Sequence, residues 1–252
     1  MTEPERIRRA IRAGEITGTS RGLALGTVQC NVVILPRDFA YDFLVYCHRN
    51  ERACPLLEVG DPGDPVPRML APTADIRTDV ARYAVWRDGV RQPDVTDISA
   101  LWRDDLVLFL IGSGITFDGA LERAGVPTDR HRWVLNTDRP TVPAGPFRGP
   151  LVVTMRWLTP QQAIRAATIT ARFPRNHGAP IHIGDPAAIG ADLARPLFGG
   201  PVPPLPDGLV PVFWACGVTP QAAAEAARPP LMIAHAPAHS FITDLPAEEL
   251  MV

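Results

Sequence analysis

The chain has 252 residues, 46% of them hydrophobic and 21% charged, which is material for one large or two small globular domains. A formal net charge of −2 with no basic run argues against a nucleic-acid binder, and no stretch approaches the ~18 consecutive apolar residues of a membrane span. All 25 basic side chains are arginines, which removes lysine Schiff-base chemistry and a phosphate loop ending in Gly-Lys-Ser/Thr but leaves carboxylate binding well served.

Thr2 and Glu5 have the spacing of a capping box and predict an amphipathic helix to about residue 13, ended by Gly14. Its Arg6, Arg8, Arg9 and Arg12, diluted by Glu3, Glu5 and Glu15, read as a solvated face. Residues 32–35 form a short β-branched run stopped by Pro36. Over residues 37–48, Phe39, Ala40, Phe43, Leu44 and Cys47 recur at helical spacing. Residues 58–72, rich in Pro, Gly and Asp, read as an irregular loop.

A strand is predicted over 106–111, followed by Gly112-Ser113-Gly114 and a helix over about 117–124 with Gly125 just past its end. Residues 151–155 read as a strand. Thr159, Pro160 and Gln162 then open a helix to about residue 171. A third unit closes the chain: a strand over 209–215, a helix capped by Thr219-Pro220 and running to about 227, and a strand over 231–234. This alternation predicts an α/β fold, a largely parallel or mixed sheet with helices on both faces. Residues 1–74 and 104–252 would form the main α/β domain. Residues 75–103 lack the rhythm and are assigned to a smaller α+β subdomain.

Cys216 is the sharpest chemical candidate. It falls at the end of a predicted strand just before a helix, where open α/β sheets bind ligands and where a helix N-terminus lowers a thiol pKa. Gly217 would allow close backbone approach, and Thr219 would cap the helix. His177, His182 and Asp185 lie within nine residues in a segment interrupted by Gly and Pro, so two imidazoles and a carboxylate could act as base, acid and orienting group. The same histidines with His235 and His239 could instead form part of a metal site. Arg77, between Asp75 and Asp79, could grip a carboxylate. Ser113 in its Gly-rich loop and Asn31 beside the first strand complete the candidate anion binders. Each of these residues also has an ordinary structural reading: a core thiol, a turn amide, a surface ion pair.

Several blocks carry a family resemblance. Gln29-Cys30-Asn31, Ala53-Cys54-Pro55-Leu56-Leu57, Asp75-Ile76-Arg77-Thr78-Asp79, His177-Gly178-Ala179-Pro180-Ile181-His182-Ile183-Gly184-Asp185-Pro186, Pro211-Val212-Phe213-Trp214-Ala215-Cys216-Gly217-Val218-Thr219-Pro220-Gln221 and Phe241-Ile242-Thr243-Asp244 resemble, in order, signature blocks of the hydro-lyase family that includes D-glutamate cyclase. The resemblance implies a two-part α/β protein and a carbon–oxygen lyase acting on a small amino-acid-like carboxylate, such as D-glutamate converted to 5-oxo-D-proline and water. Three positions depart from the family pattern: Gly112-Ser113-Gly114 stands for Gly-Cys-Ser, Cys30 for Ala, and Pro237-Ala238-His239-Ser240 for Pro-Gly-His-Met.

The expected arrangement has Arg77 and the Ser113 loop holding carboxylates, His177 or His182 as base with Asp185 beside them, and Cys216 as nucleophile or oxyanion stabiliser. No cofactor is required by this reading, although a divalent metal stays open. A metal-dependent amidohydrolase-like enzyme using His177, His182 and His235, and a non-catalytic amino-acid or oxoacid binder, are the alternatives. The expected partner is a small-molecule carboxylate, with no nucleic acid and no membrane, and a homo-oligomer is compatible. The N-terminus lacks the apolar region of a signal peptide, and Cys30, Cys47, Cys54 and Cys216 lack a disulfide or CxxC pattern; free thiols in the cytoplasm are expected.

Overall fold

The computed structural model describes residues 1–128 and 132–252. Helix α1 (Glu3–Arg12) is capped by Thr2, whose Oγ accepts from the Glu5 N–H. Its arginines are not a uniformly solvated face. Arg8 is 1% exposed, donates to the Ile242 carbonyl and pairs with Asp244 at 2.9 Å, while Arg12 grips Asp79 through two bonds of 2.8 and 2.7 Å. The helix thereby ties the first residues of the chain to its last strand.

Strand β1 (Thr27–Pro36) is buried almost throughout and forms the spine of a seven-stranded sheet. It pairs along its length with β5 (Leu106–Gly112). On the other edge it meets β10 (Met232–His235) through Val33 and Ile34, and β11 (Phe241–Pro246) through Gln29 and Cys30. Strand β2 (Leu56–Val59) lies outside β5, and β3 (Tyr83–Arg87) and β4 (Val90–Arg91) extend the sheet beyond β10. The segment 75–103 therefore contributes β3 to this sheet, and its Ile76, Val80 and Tyr83 are fully buried in the shared core. A second sheet has the order β6-β7-β9-β8, from β6 (Trp133–Pro140), β7 (Pro150–Leu158), β8 (His182–Ile183) and β9 (Val210–Ala215).

The α/β class stands, but strand direction differs from expectation: every paired neighbour in both sheets runs antiparallel. Parallel neighbours need a helical crossover that returns to the same sheet. Here α3 (Asp118–Arg123) carries the chain from β5 to β6, and α5 (Val218–Ala227) from β9 to β10, in each case from one sheet to the other. Helix α2 (Arg37–Arg49) does link β1 to β2 within one sheet, yet β5 lies between them.

Alternation along the strands divides the core. Val33 and Leu35 of β1 pack with Phe43 and Tyr46 of α2 and with Ala223 and Ala224 of α5. Val32 and Ile34 face the other way, into a core shared with Phe117, with Ala163 and Ala166 of α4 (Pro160–Ala171), and with Val212 and Trp214 of β9. The capping box expected at Thr159 and Gln162 is formed in both directions. The two sheets thus share one apolar layer, and their strand ends open onto a common space. Among the described residues no helix is long and apolar enough to cross a membrane.

Candidate active site

A cavity of about 240 Å3 lies at this seam. That is smaller than the ~300–1,000 Å3 pockets that take drug-sized ligands and suits a small metabolite. Asn31 comes from β1, Ser113 and Gly114 from the loop after β5, Cys216 and Gly217 from the end of β9, and His235 from the end of β10.

Among the described residues, the charge in the cavity comes from three arginines: Arg21, Arg132 and Arg156. Arg132 and Arg156 are 7% and 5% exposed and share one carboxylate, Asp118, at 2.5 and 3.0 Å. Among the described residues, two buried cations against one buried anion leave a net positive charge, and Nε of Arg132 and both Nε and Nη1 of Arg156 have no partner. Burial, followed by the charge of Arg132, pushes the Arg156 pKa down to about 10. Arg156 lies 5.3 Å from the Trp214 ring centre and 5.7 Å from that of Phe117. Arg21 still reaches solvent, and its pKa is lowered by desolvation and by Arg132. A cluster of this kind stabilises an anion that supplies the missing countercharge.

His177 is 2% exposed and adopts the left-handed region at φ +75°. Its placement depends on Gly112, where a Cβ would lie 1.9 Å from the Arg175 carbonyl oxygen; only glycine lets this segment cross so close to β5. Asn176 holds the crossing by donating to the Ser113 carbonyl and to Thr116 Oγ. His177 Nδ1 lies 3.1 Å from the Arg52 carbonyl, which can only accept, so Nδ1 carries the proton. Nε2 is then a lone pair, buried and without a partner among the described residues. Burial lowers the His177 pKa to about 4, so the ring is neutral at pH 7 with an unprotonated Nε2, and the same burial makes it a weaker base than a free imidazole.

Cys216 lines the cavity beside the start of α5, but its electrostatics differ from expectation. Burial raises its pKa and outweighs bonding by Thr154 and the Val218 N–H and the nearby charges of Arg21 and Arg132. The thiol is therefore neutral rather than an activated thiolate. Gly217 caps α5, and a Cβ there would fall 2.1 Å from Nδ2 of Asn31. This close fit lets the Asn31 amide cross Gly217 and donate to the Gly112 carbonyl at 2.9 Å. Ser113 accepts a 3.3 Å bond from the Ser240 hydroxyl.

The structure thus brings together Cys216, His177, Asn31, Ser113 and Gly217. It places four other expected residues elsewhere. His182 lies on β8, where its Nε2 meets the Asp185 carbonyl at 2.8 Å, and the Asp185 side chain caps the following turn at Ala187. Arg77 is satisfied by a two-bond clamp on Asp75 at 2.9 and 2.7 Å. Thr219 is 1% exposed and its hydroxyl bridges both backbone groups of Val152; it pins α5 to β7 and does not cap the helix. His177 and His235 share the cavity without His182, and among the described residues no group of three His, Cys, Asp or Glu is placed to hold a metal.

Sequence reasoning missed Arg21, Arg132, Arg156, Asp118 and Gln221. One signal was present: Arg156 interrupts the apolar strand Leu151-Val152-Val153-Thr154-Met155-Arg156-Trp157-Leu158, where a buried charge needs a partner.

The D-glutamate cyclase family model matches residues 107–244. Relatives bearing the name "Putative hydro-lyase" include one from Bacillus licheniformis, 51% identical over 99% of this chain and 97% of its own length. Another from Stutzerimonas stutzeri is 51% identical over 99% and 96%, and one from Bordetella petrii 52% identical over 95% and 93%. Among solved structures, a nitrogen repressor-like protein from Methanococcus jannaschii aligns over 92% of this chain and 91% of its own, with a TM-score of 0.38 and 11% identity, too distant to carry an argument. With half the chain matched by the family model and full-length relatives at about 50% identity, this protein belongs to the D-glutamate cyclase family of hydro-lyases.

Proposed function

We propose that the cavity binds a small amino-acid-like dicarboxylate and interconverts D-glutamate with 5-oxo-D-proline and water. The observation that carries this reading is the imbalance of Arg132 and Arg156 against Asp118, with three guanidinium nitrogens beside the cavity left unpartnered among the described residues. A substrate carboxylate supplies the missing charge and accepts those N–H groups, and the binding energy positions the rest of the molecule.

In the forward direction the α-amine attacks the γ-carboxyl carbon. A C–N bond forms, a C–O bond breaks, and the departing oxygen leaves as water. The nitrogen loses two protons over the reaction and that oxygen gains two. His177 Nε2, neutral and unpartnered among the described residues, takes the two protons from the nitrogen one after the other and passes each to the oxygen. Cys216, as a neutral thiol, lines the site without forming a covalent intermediate. Asn31 and Ser113 add polar contacts to the bound molecule.

The test is direct. Purified protein is incubated with D-glutamate or with 5-oxo-D-proline, and the mixtures are resolved by chiral chromatography. Interconversion that is lost in His177→Ala supports the reading. Absence of turnover in the unmodified protein, or full activity in His177→Ala, overturns it.

A further inference from the structure

His235 lies in the same cavity, 5% exposed, at the end of β10. Its Nδ1 accepts the Val32 backbone N–H at 3.1 Å. A backbone N–H can only donate, so Nδ1 is a lone pair and the ring proton resides on Nε2. Gln221 of α5 reinforces this state. Its Nε2 lies 3.0 Å from His235 Nδ1 and 3.4 Å from the His235 carbonyl, which fixes the amide with its NH2 group toward the histidine. For His177 the backbone imposes the reverse, because the Arg52 carbonyl requires a proton on Nδ1. Two histidines of one cavity are thus locked in opposite tautomers by groups that cannot exchange roles.

We propose that the cavity carries a divided pair, with His177 Nε2 as the base and the Nε2–H of His235 as a neutral hydrogen-bond donor to the oxygen that becomes negative. The role of His235 rests on the cyclisation reading above. As nitrogen attacks the γ-carboxyl carbon, negative charge collects on an oxygen of the tetrahedral intermediate. His235 stabilises that charge without giving up its proton, so no imidazolate is formed and the proton balance stays with His177. Burial keeps both rings neutral at pH 7. A protonated His235 could not accept from Val32 and would add a further cation to the arginine cluster.

The experiment combines NMR with kinetics. Protein labelled with 15N-histidine is examined at pH 7, with His177 and His235 assigned from single variants. The expected spectrum shows His177 protonated on Nδ1 and His235 on Nε2, both neutral. His235→Ala should lower kcat roughly 10²–10³-fold with KM within about threefold of the parent, and His235→Gln, which retains an N–H donor, should recover part of it. A His235 proton on Nδ1, an imidazolium at pH 7, or a kcat for His235→Ala within twofold of the parent overturns the proposal. Expected tautomers in a protein that turns over neither compound would uphold the opposite tautomers but overturn the cyclase reading and, with it, the donor role of His235.

Discussion

Arg156 donates to Oδ1 of Asp118 at 3.0 Å, yet two of its three guanidinium nitrogens have no partner among the described residues. The pair is structural on one side and open to a ligand on the other. Removing the shared anion should be severe, because Asp118→Asn leaves two buried cations uncompensated. We expect a loss of about 3–5 kcal/mol in urea unfolding, partly restored by a bound carboxylate. Arg156→Met should behave oppositely. It leaves Arg132 and Asp118 as a balanced pair, so stability should change by less than about 1 kcal/mol while KM rises at least ~10-fold.

Cys216 gives a second test. Its thiol pKa is raised, chiefly by burial, so reaction with iodoacetamide at pH 7 should be slower than for a free model thiol. Cys216→Ala should retain kcat within about tenfold, because no nucleophile is lost. A substrate adduct on Cys216, trapped by acid quench and seen by mass spectrometry, would contradict this assignment.

The two buried histidines predict a specific acid sensitivity. Burial lowers both His177 and His235 from 6.5 to about 4. Between those values the unfolded chain binds protons that the folded chain refuses, so stability is level above pH ~6.5 and falls as pH drops toward 4. Each shift corresponds to a loss on the order of 3 kcal/mol across the window. Denaturant titrations at pH 7.5 and pH 4.5 measure it. His177→Gln should reduce the difference by roughly half of the combined histidine contribution.

Gly217 tests how closely the site is fitted. Its φ of −64° is open to any residue, so the constraint is the Asn31 side chain 2.1 Å from the Cβ position. Gly217→Ala should cost about 1–3 kcal/mol by displacing Asn31 and breaking its bond to Gly112. Asn31→Ala in the same chain should recover stability without recovering activity. A double-mutant cycle with no coupling energy would refute the contact.

Local features of the sequence were readable because local forces set them. The capping box at Thr159 and Gln162, the helical spacing around Phe43, and the strand–glycine–helix order at Ala215, Gly217 and Val218 all depend on neighbours a few residues away. Strand direction was not readable, since it depends on which sheet each helix delivers the chain to. Cys216 and His177 could be found because a strand-end thiol and an interrupted His segment stand out. Arg132 could not: in a lysine-free chain one arginine among 25 carries no mark, and only its meeting with Asp118 in space gives it a role. Thr219 misled for the opposite reason. Its position before a helical run suggests a cap, but a longer-range partner, Val152, took the hydroxyl.

The cavity draws on Arg21 and Asn31 near one end of the chain and on His235 and Ser240 near the other. The site of a nascent protein therefore stays incomplete until its last strands have docked beside β1. Ligand binding reports completion of folding, and a fragment confined to residues 107–244 should not bind at all, since it lacks two of the lining residues. Contacts so distant in sequence also close slowly, and a carboxylate that binds only the closed site stabilises the chain once folding is complete.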